Sequence, residues 1–186
     1  MIIKMGNTLS GKKVIVVGAG FVGSAVAKDL DGLCDVILIE PQEATHHSIA
    51  AIRGSVVPGW ENAIRIPINK LLSKGDVIRK CVKSVTTGTV ILEDGTTLTA
   101  DYVILCHGGR SFNFPLGPME GKTDNVSAIE GLKNHQKAIA DAERIVVVGG
   151  GPVGCEYVGE ILAQYPKKKV TLIHSQDKLV INSMVR

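Results

Sequence analysis

The sequence predicts an α/β protein that contains two successive strand–helix–strand units. Two stretches support this prediction, VIVVGAGFVGS at 14–24 and VVVGGGPVGCE at 146–156, because both place a β-branched run before Gly-x-Gly-x-x-Gly. The first glycines of the two patterns, Gly18 and Gly149, lie 131 positions apart. An apolar run that ends at such a glycine pattern is typical of a buried strand that turns into a helix.

The composition excludes several classes of protein. The chain has 186 residues and a formal net charge of +3, which is too small to indicate nucleic-acid binding. Its four cysteines stand far apart, so their spacing predicts neither a metal site nor a redox-active Cys-x-x-Cys pair. No apolar run approaches the ~18 residues of a membrane span, and no secretory signal precedes the first strand. We therefore expect a cytoplasmic protein.

The first glycine pattern lies inside a complete strand–helix–strand unit. We expect a strand over 12–17, a helix over 21–30 and a second strand over 34–40. From residue 76 onward the chain carries three short β-branched runs, over 76–85, 89–95 and 96–106. Thr-Gly and Asp-Gly separate them, which is typical of hairpins. The last of these runs is expected to form one more buried strand.

The second glycine pattern follows a predicted helix over 127–143, for which Ser127 is the expected N-cap. The helix that the pattern opens is expected over 152–164, with proline near its first position as helices favour. An apolar run over 168–175 supplies the next strand.

The glycines of each pattern have separate roles in dinucleotide binding. The first allows a tight turn, the second lets a pyrophosphate approach the backbone, and the third lets helix and strand pack closely. Free N–H groups at the helix N-terminus then hold the phosphate. These glycines are Gly18, Gly20 and Gly23 in the first unit and Gly149, Gly151 and Gly154 in the second. Two tight-packing turns without a ligand are the structural alternative.

The end of each second strand indicates which dinucleotide is bound. Glu40, 22 positions after Gly18, is placed to accept hydrogen bonds from a ribose. The second unit has His174 and Ser175 instead, 25 positions after Gly149. A carboxylate repels a 2′-phosphate and a histidine does not, so the second site is predicted to accept NADH or NADPH. A solvated histidine at the end of a strand is the alternative for His174. Two dinucleotide sites suggest hydride transfer between nicotinamide and flavin.

Two further segments are similar to a known family of flavoproteins. They are HHSIAAIRGSV at 46–56 and YPKKKVTLIHSQ at 165–176. With the two glycine patterns and the hairpin region, they resemble the ferroptosis suppressor and apoptosis-inducing-factor-like branch of the FAD-dependent pyridine nucleotide-disulfide oxidoreductases. The resemblance covers nearly the whole chain but only the first half of such a protein, so we expect a truncated product.

The resemblance implies a domain organisation for the chain. A flexible leader at 1–12 is followed by a Rossmann-like FAD-binding domain with a β-hairpin insert over 13–116. An incomplete second Rossmann-like NAD(P)H-binding domain follows over 117–186.

The resemblance also implies an activity, an FAD-dependent NAD(P)H oxidoreductase that passes hydride through FAD to a small-molecule acceptor, a lipid quinone. Glu156 matches a family acid near the nicotinamide and is the implied catalytic residue. NAD(P)H is implied at Gly149, Gly151, Gly154 and His174. The residues implied in FAD binding are Gly18, Ala19, Gly20, Phe21, Val22, Gly23, Glu40, Arg53, Val82 and Gly108.

Alternatives stand beside these implications. Arg53 also suits a solvated helix end, Val82 suits a core valine, and Glu156 is favoured near a helix N-terminus by the dipole alone. The family's Ala-Thr-Gly turn is replaced by CHGG at 106–109, which alters one cofactor contact. For the whole chain, the alternatives are a ferredoxin- or rubredoxin-type reductase and a non-catalytic nucleotide-binding remnant.

The N-terminus carries a possible lipid-attachment motif. MGNTLS at 5–10 fits the N-myristoylation pattern, with Gly6 as the acylated residue if translation starts at Met5. Acylation would give peripheral contact with a membrane such as that of a lipid droplet, the plasma membrane or a mitochondrion, although one acyl chain binds only marginally. A plain flexible leader is the alternative.

Overall fold

Parallel strands and helices alternate in the computed structural model, which describes residues 9–109, 114–119 and 121–180. In chain order the elements are β1 (Lys13–Val17), α1 (Phe21–Leu30), β2 (Asp35–Ile39), β3 (Ala44–His46), α2 (Ala51–Val56), α3 (Trp60–Ala63), β4 (Arg65–Pro67), β5 (Asp76–Ile78), β6 (Val82–Thr86), β7 (Thr89–Leu92), β8 (Thr97–Thr99), β9 (Tyr102–Leu105), α4 (Asn125–Asp141), β10 (Arg144–Val148), α5 (Pro152–Gln164) and β11 (Lys169–Ile173).

The chain divides into two compact units that do not follow its linear order. The first unit comprises Met1–Thr45, Ile66–Arg110 and Lys122–Asn125, and the second comprises His46–Arg65, Ser111–Gly121 and Val126–Arg186. The short helices α2 and α3 therefore belong with the second glycine turn. The predicted boundary near residue 116 separates an FAD-binding domain from an NAD(P)H-binding domain. The division into compact units does not test it, and it stays a prediction.

A four-stranded parallel sheet forms the centre of the first unit. Its order is β5-β2-β1-β9, with β1 paired to β2 on one side and to β9 on the other. The chain therefore adds β2 and β5 on one side of β1 and later returns to add β9 on the other side. Open parallel sheets bind ligands beyond the carboxyl ends of their strands at such a reversal. The first glycine turn, which begins at Gly18, follows directly after the end of β1.

Both faces of this sheet are covered, which explains why its strands read as continuous apolar runs. Val14 and Val16 pack in a cluster with Ala27 of α1. Ile15 and Val17, which point to the opposite face, pack in a second cluster with residues of β6, β7 and β8. The antiparallel sheet β6-β7-β8 therefore covers the face that α1 does not.

The structure corrects the predicted hairpin region in two ways. Residues 76–85 were expected to be one strand of a hairpin, but they form β5 in the parallel sheet and β6 in the antiparallel sheet. The run over 96–106 contains β8 and, from Tyr102, the predicted last strand, β9. The predicted last strand exists, but it lies at the edge of the sheet, and Tyr102 and Leu105 are 51% and 54% exposed.

The second unit contains the two-stranded parallel sheet β10-β11 and the helices α2, α3 and α5, with α4 from its second residue onward. Ile145 and Val147 of β10 pack in a cluster with Ile161 of α5 and Val56 of α2. The helix α5 has the predicted bounds. The helix α4 begins two residues earlier than predicted, at Asn125, so Ser127 lies in its first turn and is not its N-cap.

The predictions about membranes concern different parts of the chain. Among the described residues, no helix is both long enough and apolar enough to cross a membrane. Gly6, the predicted acylation site, lies outside the described residues.

The third glycine of each turn leaves no room for a side chain. A Cβ on Gly23 would lie 1.9 Å from the carbonyl oxygen of Gly18, and one on Gly154 would lie 1.8 Å from that of Gly149. In both turns the helix therefore sits directly against the end of its strand. At the second glycine of each turn, an added Cβ would meet no atom within 4 Å, so packing within the protein does not require glycine there.

We predict that Gly154→Ala lowers the free energy of unfolding by about 1–3 kcal/mol, since the added Cβ collides with backbone that cannot move aside. The matched control is Gly159→Ala in the same helix, where a Cβ meets no atom within 4 Å and the site is exposed. Alanine there should raise stability by up to about 1 kcal/mol through helix propensity. Urea unfolding measures the stability of both variants. Equal unfolding midpoints would contradict the claim that a Cβ at Gly154 collides with the backbone.

Candidate functional site

The N-terminus of α1 is open to a ligand at the first glycine turn. Gly20 is its N-cap residue, and no side chain caps the helix. The N–H groups of a first helical turn have no partner within the helix, so they bind anions readily. Phe21 and Val22, which begin the helix, are 67% and 60% exposed. The residues implied in phosphate binding thus surround an uncapped helix end.

Glu40 lies beside this turn. Its carboxylate accepts hydrogen bonds from the N–H of Ala19 at 2.8 Å and from the N–H of Gln42 at 2.9 Å. The N–H of Gly18 donates to the carbonyl oxygen of Ile39 at 2.8 Å, which fixes the turn against the end of β2. A carboxylate has about four acceptor positions, so Glu40 keeps capacity for ribose hydroxyls.

The other two FAD-contact candidates of the first unit lie on different elements. Val82 begins β6 and packs against the cluster that contains Ile15 and Leu92, which is the structural role considered for it. Gly108 follows β9 with a φ of +68°, a left-handed conformation that favours glycine, and a Cβ there would meet no atom within 4 Å.

The second glycine turn has the same construction. Gly151 is the N-cap residue of α5, and no side chain caps this helix either. The N–H of Gly149 donates to the carbonyl oxygen of Ile173 at 2.8 Å. The N–H of Gly150 donates to Nδ1 of His174 at 3.1 Å.

Glu40 and His174 therefore occupy equivalent positions. Each follows the last residue of its strand, in matching registers that pair Val17 with Ile39 and Val148 with Ile173. Each also accepts the N–H of the residue after the first glycine. The sequence analysis placed His174 and Ser175 at the end of this strand, and the strand register together with the hydrogen bond from Gly150 selects His174.

The chemistry at the two equivalent positions is opposite. Glu40 presents only acceptors when it is ionised. Because Nδ1 of His174 accepts a hydrogen bond, a neutral ring carries its proton on Nε2, which is then a donor. Nε2 makes no hydrogen bond to another residue that the structure describes. One turn thus offers an acceptor to a ligand, and the other offers a donor.

A cavity of about 550 Å³ opens at the second turn. This volume lies within the range of small-molecule sites. Its polar side is the glycine turn, and its remaining wall is apolar. The lining residues are Phe114, Pro115, Leu116, Val147, Val148, Gly149, Gly151, Pro152, Val153, Gly154 and Tyr157.

Arg53 and Glu156, which were selected for different cofactors, line one smaller cavity of about 230 Å³ in the second unit. Arg53 lies on α2 and Glu156 on α5. Among the described residues, Glu156 has no hydrogen-bond or ion-pair partner, so its carboxylate is available to a ligand. The other lining residues are Ile49, Ala50, Ile52, Trp60 and Glu160.

Arg53 lies in the last turn of α2, as the structural alternative expects, and its side chain is 49% exposed, but it is also held by a carboxylate and an indole. Its Nε lies 3.0 Å from both carboxylate oxygens of Glu160, and its Nη2 lies 2.8 Å from one of them. The guanidinium carbon lies 5.1 Å from the centre of the Trp60 ring, within cation–π range. The hydrogen bonds that Arg53 donates to Glu160 raise the pKa of Arg53, so the guanidinium stays charged.

Glu160 and Trp60 were missed by the sequence analysis. Glu160 follows Glu156 by four positions, a spacing that places two side chains on one face of a helix. That signal was readable, but it did not indicate the partner on α2.

Polar contacts hold α2 beside α4 and α5. Gln136 of α4 donates to the carbonyl oxygen of Gly54 at 2.7 Å. The hydroxyls of Ser55 and Tyr157 lie 3.3 Å apart, and the Tyr157 hydroxyl also hydrogen-bonds the ring of His135. Burial raises the pKa of Tyr157 and lowers that of His135, so both side chains are neutral near pH 7.

Comparison with known proteins identifies the family. A family model described as pyridine nucleotide-disulphide oxidoreductase matches residues 12–186. Apoptosis-inducing factor homolog A of Dictyostelium discoideum is 40% identical over 179 residues, which cover 91% of this chain and 43% of that protein. Ferroptosis suppressor protein 1 of Homo sapiens is 34% identical over 172 residues, with coverage of 88% and 44%. The chain thus spans less than half the length of these relatives.

Solved structures show the same fold. NDH2 of Plasmodium falciparum in complex with NADH superposes with a TM-score of 0.65 at 19% identity, covering 92% of this chain and 43% of that one. The sulfide:quinone oxidoreductase of Aquifex aeolicus gives a TM-score of 0.61 at 21% identity, with coverage of 89% and 44%. The predicted Rossmann-like α/β fold is confirmed, and the match over residues 12–186 shows that this chain belongs to the pyridine nucleotide-disulphide oxidoreductase family.

Proposed function

We propose that this chain binds FAD at the first glycine turn and NAD(P)H at the second, within an oxidoreductase that reduces a quinone. The observation that carries the proposal is the equivalence of Glu40 and His174. Each lies one residue beyond its strand and is hydrogen-bonded to the backbone of its own glycine turn. The two glycine turns have the same backbone arrangement, but one has an acceptor side chain and the other a donor side chain at the equivalent position. Such a pair of sites is suited to two different dinucleotides.

The first turn fits a dinucleotide with an unmodified ribose. The uncapped N-terminus of α1 and the open space at Gly20 suit a pyrophosphate. The free acceptor positions of Glu40 suit ribose hydroxyls and repel a 2′-phosphate. FAD has this chemistry, and NADPH does not.

The second turn fits a dinucleotide with or without a 2′-phosphate. The uncapped N-terminus of α5 and the open space at Gly151 suit the pyrophosphate. His174 offers an Nε2 donor in place of a carboxylate, so it tolerates a phosphate. The cavity of about 550 Å³ beside the turn gives the remainder of the ligand an apolar wall.

The bound cofactors would supply the electron-transfer chemistry, and the protein would supply binding and orientation. In the smaller cavity, Arg53 offers hydrogen-bond donors and Glu156 offers an unpaired carboxylate. The side chains of Ile49 and Ile52 add apolar surface to the lining of that cavity. The quinone acceptor is proposed from the resemblance to the ferroptosis suppressor branch, and one structural neighbour is a sulfide:quinone oxidoreductase.

The proposal predicts that the purified chain retains FAD, with its visible absorption bands, after free flavin is removed. Gly20→Ala should weaken FAD binding at least about tenfold, or ~1.4 kcal/mol, because its Cβ occupies the approach of the pyrophosphate. Gly151→Ala should weaken NADH binding similarly while leaving FAD bound. Gly159→Ala is the control for both. A colourless chain that binds neither cofactor would overturn the proposal in favour of a non-catalytic remnant.

Glu156→Gln is expected to slow the reduction of bound FAD by NADH while leaving FAD affinity unchanged, because Glu156 lies on the helix of the second turn. Stopped-flow bleaching of the flavin band measures the rate, for which we expect a loss of about tenfold or more. Glu130→Gln, an exposed substitution on α4, is the matched control for loss of charge. An unchanged rate constant would mean that Glu156 has no role in the reduction and only interacts favourably with the helix dipole.

His174→Glu is expected to weaken NADPH binding by at least about tenfold, or ~1.4 kcal/mol, while NADH binding changes less. The new carboxylate would stand where Glu40 stands in the first unit and would repel the 2′-phosphate. Ser175→Glu adds the same charge one residue further on and should have a smaller effect. Dissociation constants from nicotinamide fluorescence provide the test, and equal losses for NADH and NADPH would refute the specificity role.

A further inference from the structure

We propose that Glu160 is a positioning residue, which holds Arg53 in the orientation that serves the cofactor and keeps Arg53 away from Glu156. The inference rests on the proposed function and on the family resemblance, which implies that Arg53 takes part in FAD binding. It extends that function to a carboxylate and an indole, Trp60, which fix the arginine from two directions.

The geometry of the Arg53–Glu160 pair favours one fixed orientation. Glu160 meets the Nε and Nη2 edge of the guanidinium with two carboxylate oxygens, at 2.8–3.0 Å. Such planar, two-point pairing fixes the direction of the guanidinium as well as its position. Trp60 lies over the guanidinium at 5.1 Å and restricts it to one plane.

The pair leaves part of the arginine available. An arginine has five N–H donors in a rigid planar group, and Glu160 engages only one edge of it. The remaining donors have no acceptor among the described residues. They are therefore presented as a preorganised set to acceptor oxygens of a ligand in the cavity of about 230 Å³.

The same pair decides which carboxylate Arg53 selects. Glu156 and Glu160 lie one helical turn apart on α5, and both line the cavity with Arg53. Arg53 is bonded to Glu160, whereas Glu156 is unpaired among the residues described. If Glu160 lost its charge, Glu156 would be the nearest carboxylate on the same helix face. Glu160 thus protects the carboxylate that we assign to the nicotinamide side.

Trp60 is the single tryptophan of the chain, and it provides a direct test. It is 39% exposed, and Arg53 covers part of its ring, so acrylamide quenching of its fluorescence reports whether Arg53 stays in place. The experiment is a double-mutant cycle on the full chain with Arg53→Gln, Glu160→Gln and the combined variant. Glu130→Gln is the control for charge, and thermal unfolding checks that every variant is folded.

We expect Glu160→Gln to raise the quenching constant of Trp60 and to weaken FAD binding by about fivefold or more, within the range of coupling between contacting residues. In the Arg53→Gln background, Glu160→Gln should change neither quantity, because it acts only through Arg53. This non-additivity separates positioning from a general structural effect, which would add to that of Arg53→Gln.

Two results would overturn the inference. If Glu160→Gln changes Trp60 quenching equally with and without Arg53, Glu160 does not hold the arginine. If the cycle is non-additive for quenching but FAD affinity is unchanged in Glu160→Gln, the pair does not serve the cofactor. Failure of the unmodified chain to bind FAD would instead refute the proposed function, and the quenching cycle would then decide alone whether Glu160 holds Arg53.

Discussion

The contact on which the site depends is the one between the third glycine of each turn and the carbonyl oxygen of the first. Without a Cβ at Gly23 and Gly154, each helix can begin directly at the end of its strand. This closeness brings the uncapped N-terminus of the helix to the carboxyl edge of the sheet. The next strand ends at the same edge, so Glu40 and His174 reach the turn through a single backbone hydrogen bond.

The two units share one backbone arrangement at the glycine turn but differ in the side chain beside it. The hydrogen-bonding frame is the same in both, with the first glycine bonded to the last residue of the partner strand. Only the side chain beyond that strand differs, a carboxylate in the first unit and an imidazole in the second. Because a helix N-terminus attracts any phosphate, discrimination between dinucleotides must come from such neighbouring side chains.

The second unit adds a constraint of another kind. The short helix α2 has six residues, too few to be stable alone. It is held by the Arg53–Glu160 pair, by the bond from Gln136, and by apolar packing of Val56 against Ile161. The pair that orients Arg53 therefore also helps to keep α2 next to α5, which is why both residues face one cavity.

The sequence alone determined the repeated features of this protein, because they depend on contacts between near neighbours along the chain. Steric demand at a strand-to-helix turn is local, so the glycine patterns located β1, α1 and α5 to within one residue. The apolar runs also gave the strands that pair with them. The family resemblance, which residues 46–56 and 165–176 support, agrees with the match over 12–186.

Tertiary structure alone decided how distant segments combine. Short β-branched runs have the same period in any sheet, so the sequence did not separate β5 from β6 or show that β9 is an edge strand. It did not pair Arg53 with Glu160, 107 residues apart, because an ion pair between two helices depends on their packing. The sequence placed Glu40 at the end of one strand and His174 and Ser175 at the end of the other. The strand registers were needed to show that His174 meets the turn, because the connecting segments differ in length and only hydrogen bonding fixes which residue does so.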